Sequence, residues 1–101
     1  MFQVVGKVAS DGSKRSGAGF SSEKLRPGET KGHYQVTFND PFVSEPVILV
    51  TANVKQQGNY DVAFNATVHS ADTDKFEVQI QSPETPLECG FDFIAIGVLE
   101  Q

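Results

Sequence analysis

The sequence has no tryptophan, one cysteine and one methionine, and its 8 lysines and arginines are outnumbered by 13 acidic residues. Each shortage excludes something. Cys89 has no second cysteine to pair with, so no intrachain disulfide holds the fold and no oxidising compartment is required; a buried or half-buried thiol is expected. The net charge of -5 and a pI ≈ 4.8 argue against a nucleic-acid partner, because phosphate binding needs clustered Lys and Arg to displace counterions. The one basic cluster, Lys14, Arg15, Lys24 and Arg26, sits in a Gly/Ser-rich segment and reads as a solvated loop. No apolar run approaches the ~20 residues of a membrane helix, and no basic stretch followed by an apolar one opens the chain. Neither membrane insertion nor export is therefore expected. Also missing is any segment with an apolar period of ~3.6 residues, which argues against helices.

What is present suits a small β domain. A chain of 101 residues is long enough for one domain that buries roughly 60 to 70 % of its unfolded surface. Eight Phe and two Tyr, 39 % apolar and 21 % charged residues describe a globular chain, not a disordered one. The organising stretch is Tyr34 to Val54, YQVTFNDPFVSEPVILVTANV. Tyr34, Val36 and Phe38 alternate with Gln35 and Thr37, the period of a strand with one face in a core. Asn39-Asp40-Pro41 stops it, and Phe42 and Val43 are expected at the domain edge. Pro46 suits the start of the next strand, Val47 to Val54, where a missing N–H disrupts no ladder.

The remaining segments add strands. Phe2 to Val8 is a short β-branched run, and Phe20 to Arg26 is a further strand before the Pro27-Gly28 turn. Between them, Ser10 to Gly19 is dense in Gly and Ser and reads as a mobile loop. Tyr60 to Ser70 places Val62, Phe64, Ala66 and Val68 inward, with Asp61, Thr67 and His69 outward. Phe76, Val78 and Ile80 alternate with Glu77, Gln79 and Gln81, and after the Ser82 to Gly90 loop the chain closes with Phe91 to Leu99. About six or seven short strands spaced by turn signals predict an all-β sandwich or barrel.

Val47 to Val54 and Phe91 to Leu99 are apolar on both faces, whereas a strand of a two-layer sandwich normally has one wet face. A partner chain is the simplest cover, which makes Ile48, Val50, Ala52, Ile94, Ile96 and Val98 the expected oligomer interface. The alternative is that loops such as Ser10 to Gly19 cover these strands within one chain.

Catalytic patterns are sparse. His33 and His69 lie near or on strands and could approach Asp61 or Asp72, but no nucleophile is fixed beside either, and satisfied or solvent-facing histidines are expected. There is no Gly-x-Ser-x-Gly elbow, and the spaced glycines Gly12 and Gly17 are not followed by the Lys-Ser/Thr of a phosphate loop. Asp72-x-Asp74 falls short of the six or so oxygen ligands of a Ca²⁺ loop. Asn65-Ala66-Thr67 fits the glycosylation pattern by chance. No metal, cofactor or enzymatic activity is expected.

The order of motifs carries one resemblance. GKVASDG (Gly6 to Gly12), Gly-x-Gly-Phe (Gly17 to Phe20), Tyr-x-Val-x-Phe followed by Phe-x-x-x-Pro-Val (Tyr34 to Val47) and FDFIAIG (Phe91 to Gly97) together resemble the H-type lectin-like domain, in the version found at bacteriophage tail-fibre ends and in related bacterial proteins. The resemblance spans nearly the whole chain. It implies an all-β fold, a six- to seven-stranded antiparallel β-sandwich that forms a homotrimer or a hexamer of paired trimers, with sugar sites near subunit boundaries. With no export signal or membrane segment in the sequence, a cytoplasmic or virion-associated location is expected. An acidic loop residue of the family corresponds to Glu29. The family's arginine falls on the strand matching Tyr60 to Ser70, which has no Arg or Lys, and its aromatic-His pair falls in the Ser82 to Gly90 loop, which has neither.

The function expected is a non-catalytic oligomeric module that binds carbohydrate or another cell-surface ligand, or else a structural assembly domain with no small ligand. Sugar sites combine a stacking ring with convergent polar groups. The candidates are Glu29, His33, Asn59, Tyr60, Asp61 and His69, with Tyr60 ranked first for its position between Asn59 and Asp61.

Overall fold

A computed structural model describes residues 2–25, 32–53, 65–81 and 90–97. The expected Glu29, Asn59, Tyr60, Asp61 and Val98 sites, and Cys89, lie outside the described residues. Eight strands are present: β1 (Phe2–Val8), β2 (Lys14–Gly17), β3 (Phe20–Lys24), β4 (His33–Phe38), β5 (Val47–Asn53), β6 (Asn65–Ala71), β7 (Lys75–Gln81) and β8 (Gly90–Gly97). They form two antiparallel four-stranded sheets, β2-β1-β8-β5 and β3-β4-β7-β6, packed as a β-sandwich. No helix occurs among the described residues, and none is long and apolar enough to cross a membrane.

The alternation of apolar and polar residues sets which face each strand buries. Val4 and Val8 of β1 and Phe91, Phe93 and Ala95 of β8 line the inner face of the first sheet. Tyr34, Val36 and Phe38 of β4 and Phe76, Val78 and Ile80 of β7 line the second. Rings dominate the contact between sheets: Phe20 meets Phe93 edge-on at 4.9 Å between centroids, Phe76 meets Phe93 at 5.1 Å, and Tyr34 meets Phe91 at 5.5 Å. Edge-on aromatic pairs contribute about 0.5–1.5 kcal/mol beyond their buried area. With no tryptophan, phenylalanine supplies the bulk that fills this core. Space for one ring comes from Gly6, where a Cβ would fall 2.3 Å from the Phe20 ring. Tyr34 is fully buried, and its hydroxyl donates to the carbonyl of Ser10 at 2.6 Å.

Two local expectations need correcting. Ser10 to Gly19 is not a loop throughout: Lys14–Gly17 pairs with β1 as an edge strand. All four of its residues are exposed, so it carries no apolar alternation, and backbone hydrogen bonding alone defines it. The turn before it is closed by Asp11, whose carboxylate accepts from the Ser13 hydroxyl at 2.6 Å and the Ser13 N–H at 3.0 Å. Phe42 is not at the edge. It is 2 % exposed, packs edge-on against Phe38 at 5.1 Å, and donates its N–H to Thr73 O, while Val43 turns out to solvent. The Asn-Asp-Pro stop thus returns an aromatic ring to the core.

Candidate functional site

The two sheets have outer faces of opposite character. On the β2-β1-β8-β5 sheet, register aligns Val5, Ile94 and Leu49 in one row across three strands, and Gln3, Ile96 and Val47 in the next. Val5, Val47 and Leu49 are 50 %, 64 % and 60 % exposed, and Ile94 and Ile96 are half-buried. A groove of about 280 Å³ runs along this face between β5 and β8, with Leu49 and Ile94 in its lining. Across β1 and β8 the charged row pairs Lys7 with Asp92 at 3.1 Å, so opposite charges cancel there.

This arrangement divides the expected interface. Ile94 and Ile96 do lie on the outer face. Ile48, Val50 and Ala52 point the other way and pack against the core, because each sits opposite an inward residue of β8: Ala95, Phe93 and Phe91 respectively. The outward apolar residues of β5 are Val47 and Leu49, joined by Val5 from β1. Sequence alternation separated the two faces of β5 but could not say which was inner; only pairing to β8 decides that.

The β3-β4-β7-β6 sheet presents Ser21, Glu23, Gln35 and Thr37, which with Ser22 line a polar groove of about 280 Å³. Farther along, β4 and β6 flank β7 and bring His33, His69 and Glu77 together. His33 is 4 % exposed, and its Nε2–H donates to Glu77 Oε1 at 3.0 Å. Its backbone is fixed from two sides: the Leu25 N–H donates to His33 O at 2.7 Å, and the Ile80 N–H donates to Gly32 O at 2.8 Å.

His69 reaches the cluster through a β-bulge. Val68 pairs with Val78, but the next pair is Ser70 with Glu77, so His69 and Ser70 together oppose one residue. A bulge re-aims side chains and shifts strand phase. Here it leaves His69 and Ser70 both exposed, one after the other, and returns Ala71 to pack against the core. The imidazoles of His33 and His69, on strands roughly 10 Å apart across β7, lean over it until their centroids are 5.3 Å apart.

No protein-family model, curated protein or solved structure matches this chain. Of the six ligand candidates, His33 and His69 are thus brought together and the other four lie outside the described residues. Their carboxylate partner is Glu77, where sequence reading suggested Asp61 or Asp72. Asp72 instead serves the β6–β7 turn, its N–H donating to Lys75 O at 2.7 Å. Glu77 looked like an ordinary exposed member of an alternating strand. The signal that finds it is strand register, which places it next to both histidine-bearing strands.

Proposed function

We propose that this chain is a non-catalytic assembly and binding module: copies associate through the apolar outer face of the β2-β1-β8-β5 sheet and present the polar sheet to a carbohydrate or another cell-surface ligand. The observation that carries this reading is the row of Val5, Ile94 and Leu49, extended by Ile96 and Val47. A second copy is the occupant best suited to it. The chain carries a net charge of -5, yet along β1, β8 and β5, the strands that carry the apolar rows, the charged residues are the mutually neutralising Lys7 and Asp92. Here like-charged copies meet without repulsion. Among the described strands β5 is also the last of its sheet, and an edge strand is a ready template for pairing with another chain.

Covering the five partly exposed aliphatic side chains of each copy contributes on the order of 5–10 kcal/mol per copy, against about 4–15 kcal/mol for each association event, so a contact that covers the face on every copy can sustain an oligomer. A homotrimer, or a hexamer built from two, is what the lectin-like motif order implies. Light scattering of the intact chain is expected to give a multiple of 11.0 kDa, with three copies the leading value; a monomer at micromolar concentration would sink the assembly reading. The ligand half is separately checked on a glycan array, where silence from an intact oligomer leaves a purely structural module.

A further inference from the structure

The geometry points to a second capacity, independent of assembly: we infer that His33, His69 and Glu77 form a binding site for one divalent transition-metal ion of the zinc class, with a coordination position left open. Two imidazoles and a carboxylate are donors suited to Zn²⁺, Co²⁺, Ni²⁺ and Cu²⁺. They exclude Ca²⁺ and Mg²⁺, which take oxygen ligands almost throughout.

One ligand atom from each of the three residues lies within 4.8 Å of the others, and the His33 to Glu77 pair is already at 3.0 Å. Donors about 2.0–2.1 Å from a tetrahedral zinc lie about 3.3 Å from one another. The site therefore needs its widest separation closed by roughly 1.5 Å at most, the difference between those spacings. His69 can supply that movement. It is exposed, whereas His33 is buried and pinned by its strand neighbours. Two ligands thus stand on paired strands, and the third swings in from a bulge.

When the metal takes its place, the proton on His33 Nε2 that now bonds Glu77 leaves, the ring keeping its proton on Nδ1 and the excess passing to solvent, and the carboxylate turns from accepting a hydrogen bond to donating a lone pair to the ion. Beyond this and the inward swing of His69, no rearrangement is required. With three protein ligands, the fourth position faces the solvent side of the sheet, where water or a donor atom of a bound partner completes the shell. The polar residues beside the cluster on the same face, Gln35 and Gln79, are placed to contact such a donor.

The direct test is calorimetric titration of ZnCl2 into the full, tag-free chain after removal of adventitious metal with a chelator. One ion per chain is expected. His69→Ala is the decisive variant, because its exposed side chain contributes nothing to the core and the domain folds without it, as far-UV circular dichroism will verify. It should weaken binding at least about tenfold, as should Glu77→Gln, since loss of even an outer-shell partner costs a metal site that much. Cys89→Ser should bind like wild type. Co²⁺ in place of Zn²⁺ should give the intense visible bands of a four-coordinate ion. Absence of binding by the wild-type chain, unchanged affinity in His69→Ala, or loss of binding in Cys89→Ser would each overturn the assignment.

Discussion

Gly6 shows how much of this fold rests on single atoms. A methyl group there would fall 2.3 Å from the Phe20 ring and 2.9 Å from that of Phe93, so Gly6→Ala forces the edge-on pair apart. Overpacking of this kind costs about 1–3 kcal/mol, and urea denaturation should show a midpoint shift of that size with an unchanged slope. Asp11 gives a second test. The Ser13 hydroxyl, then the Ser13 N–H, hold its carboxyl below the ordinary aspartate value of 3.8. A depressed carboxyl pKa supports the fold above its unfolded value and loses that support as pH falls through the folded one. Carboxyl NMR should place the Asp11 midpoint under 3.8, and Ser13→Ala should move it upward. In the sequence Asp11 was one residue of a Gly/Ser-rich loop; that it closes a turn through Ser13 is visible only in the fold.

Among the elements, legibility followed side-chain periodicity. β4 and β7 were readable because one face of each alternates into the core, β1, β5 and β8 because they are short apolar runs set off by turns, and β3 followed from Phe20 and the turn after it. β2 was not, because an exposed edge strand of Lys, Arg, Ser and Gly has no inner face to betray it. The bulge at His69 was equally hidden: a local pattern of residues cannot report that two of them will oppose one on a neighbouring strand. The two faces of β5 now separate cleanly by experiment. Leu49→Glu adds charge to the outer face and should dissociate the oligomer while leaving the fold intact. Ile48→Glu, one residue away, drives charge toward the core and should destabilise the domain itself, on the order of 3 kcal/mol. Light scattering combined with thermal denaturation distinguishes them; equal effects on both readouts would mean that the strand does not divide as described.

For the molecule as a whole, the sandwich has one apolar and one polar exterior, so self-association through the first gives every copy a defined outward side. The His33, His69 and Glu77 cluster lies on that outward side, clear of the proposed contact. The pairing of β8 carries a further consequence, in the order of synthesis. β8 lies between β1 and β5, which do not pair with each other, so the first sheet stays in two pieces until residues 90–97 have been made. All four strands of the polar sheet precede them. The row formed by Val5, Ile94 and Leu49 therefore cannot exist until β8 has taken its place between β1 and β5. Any contact between copies through the proposed face must wait for that pairing, whereas the polar sheet can form without it.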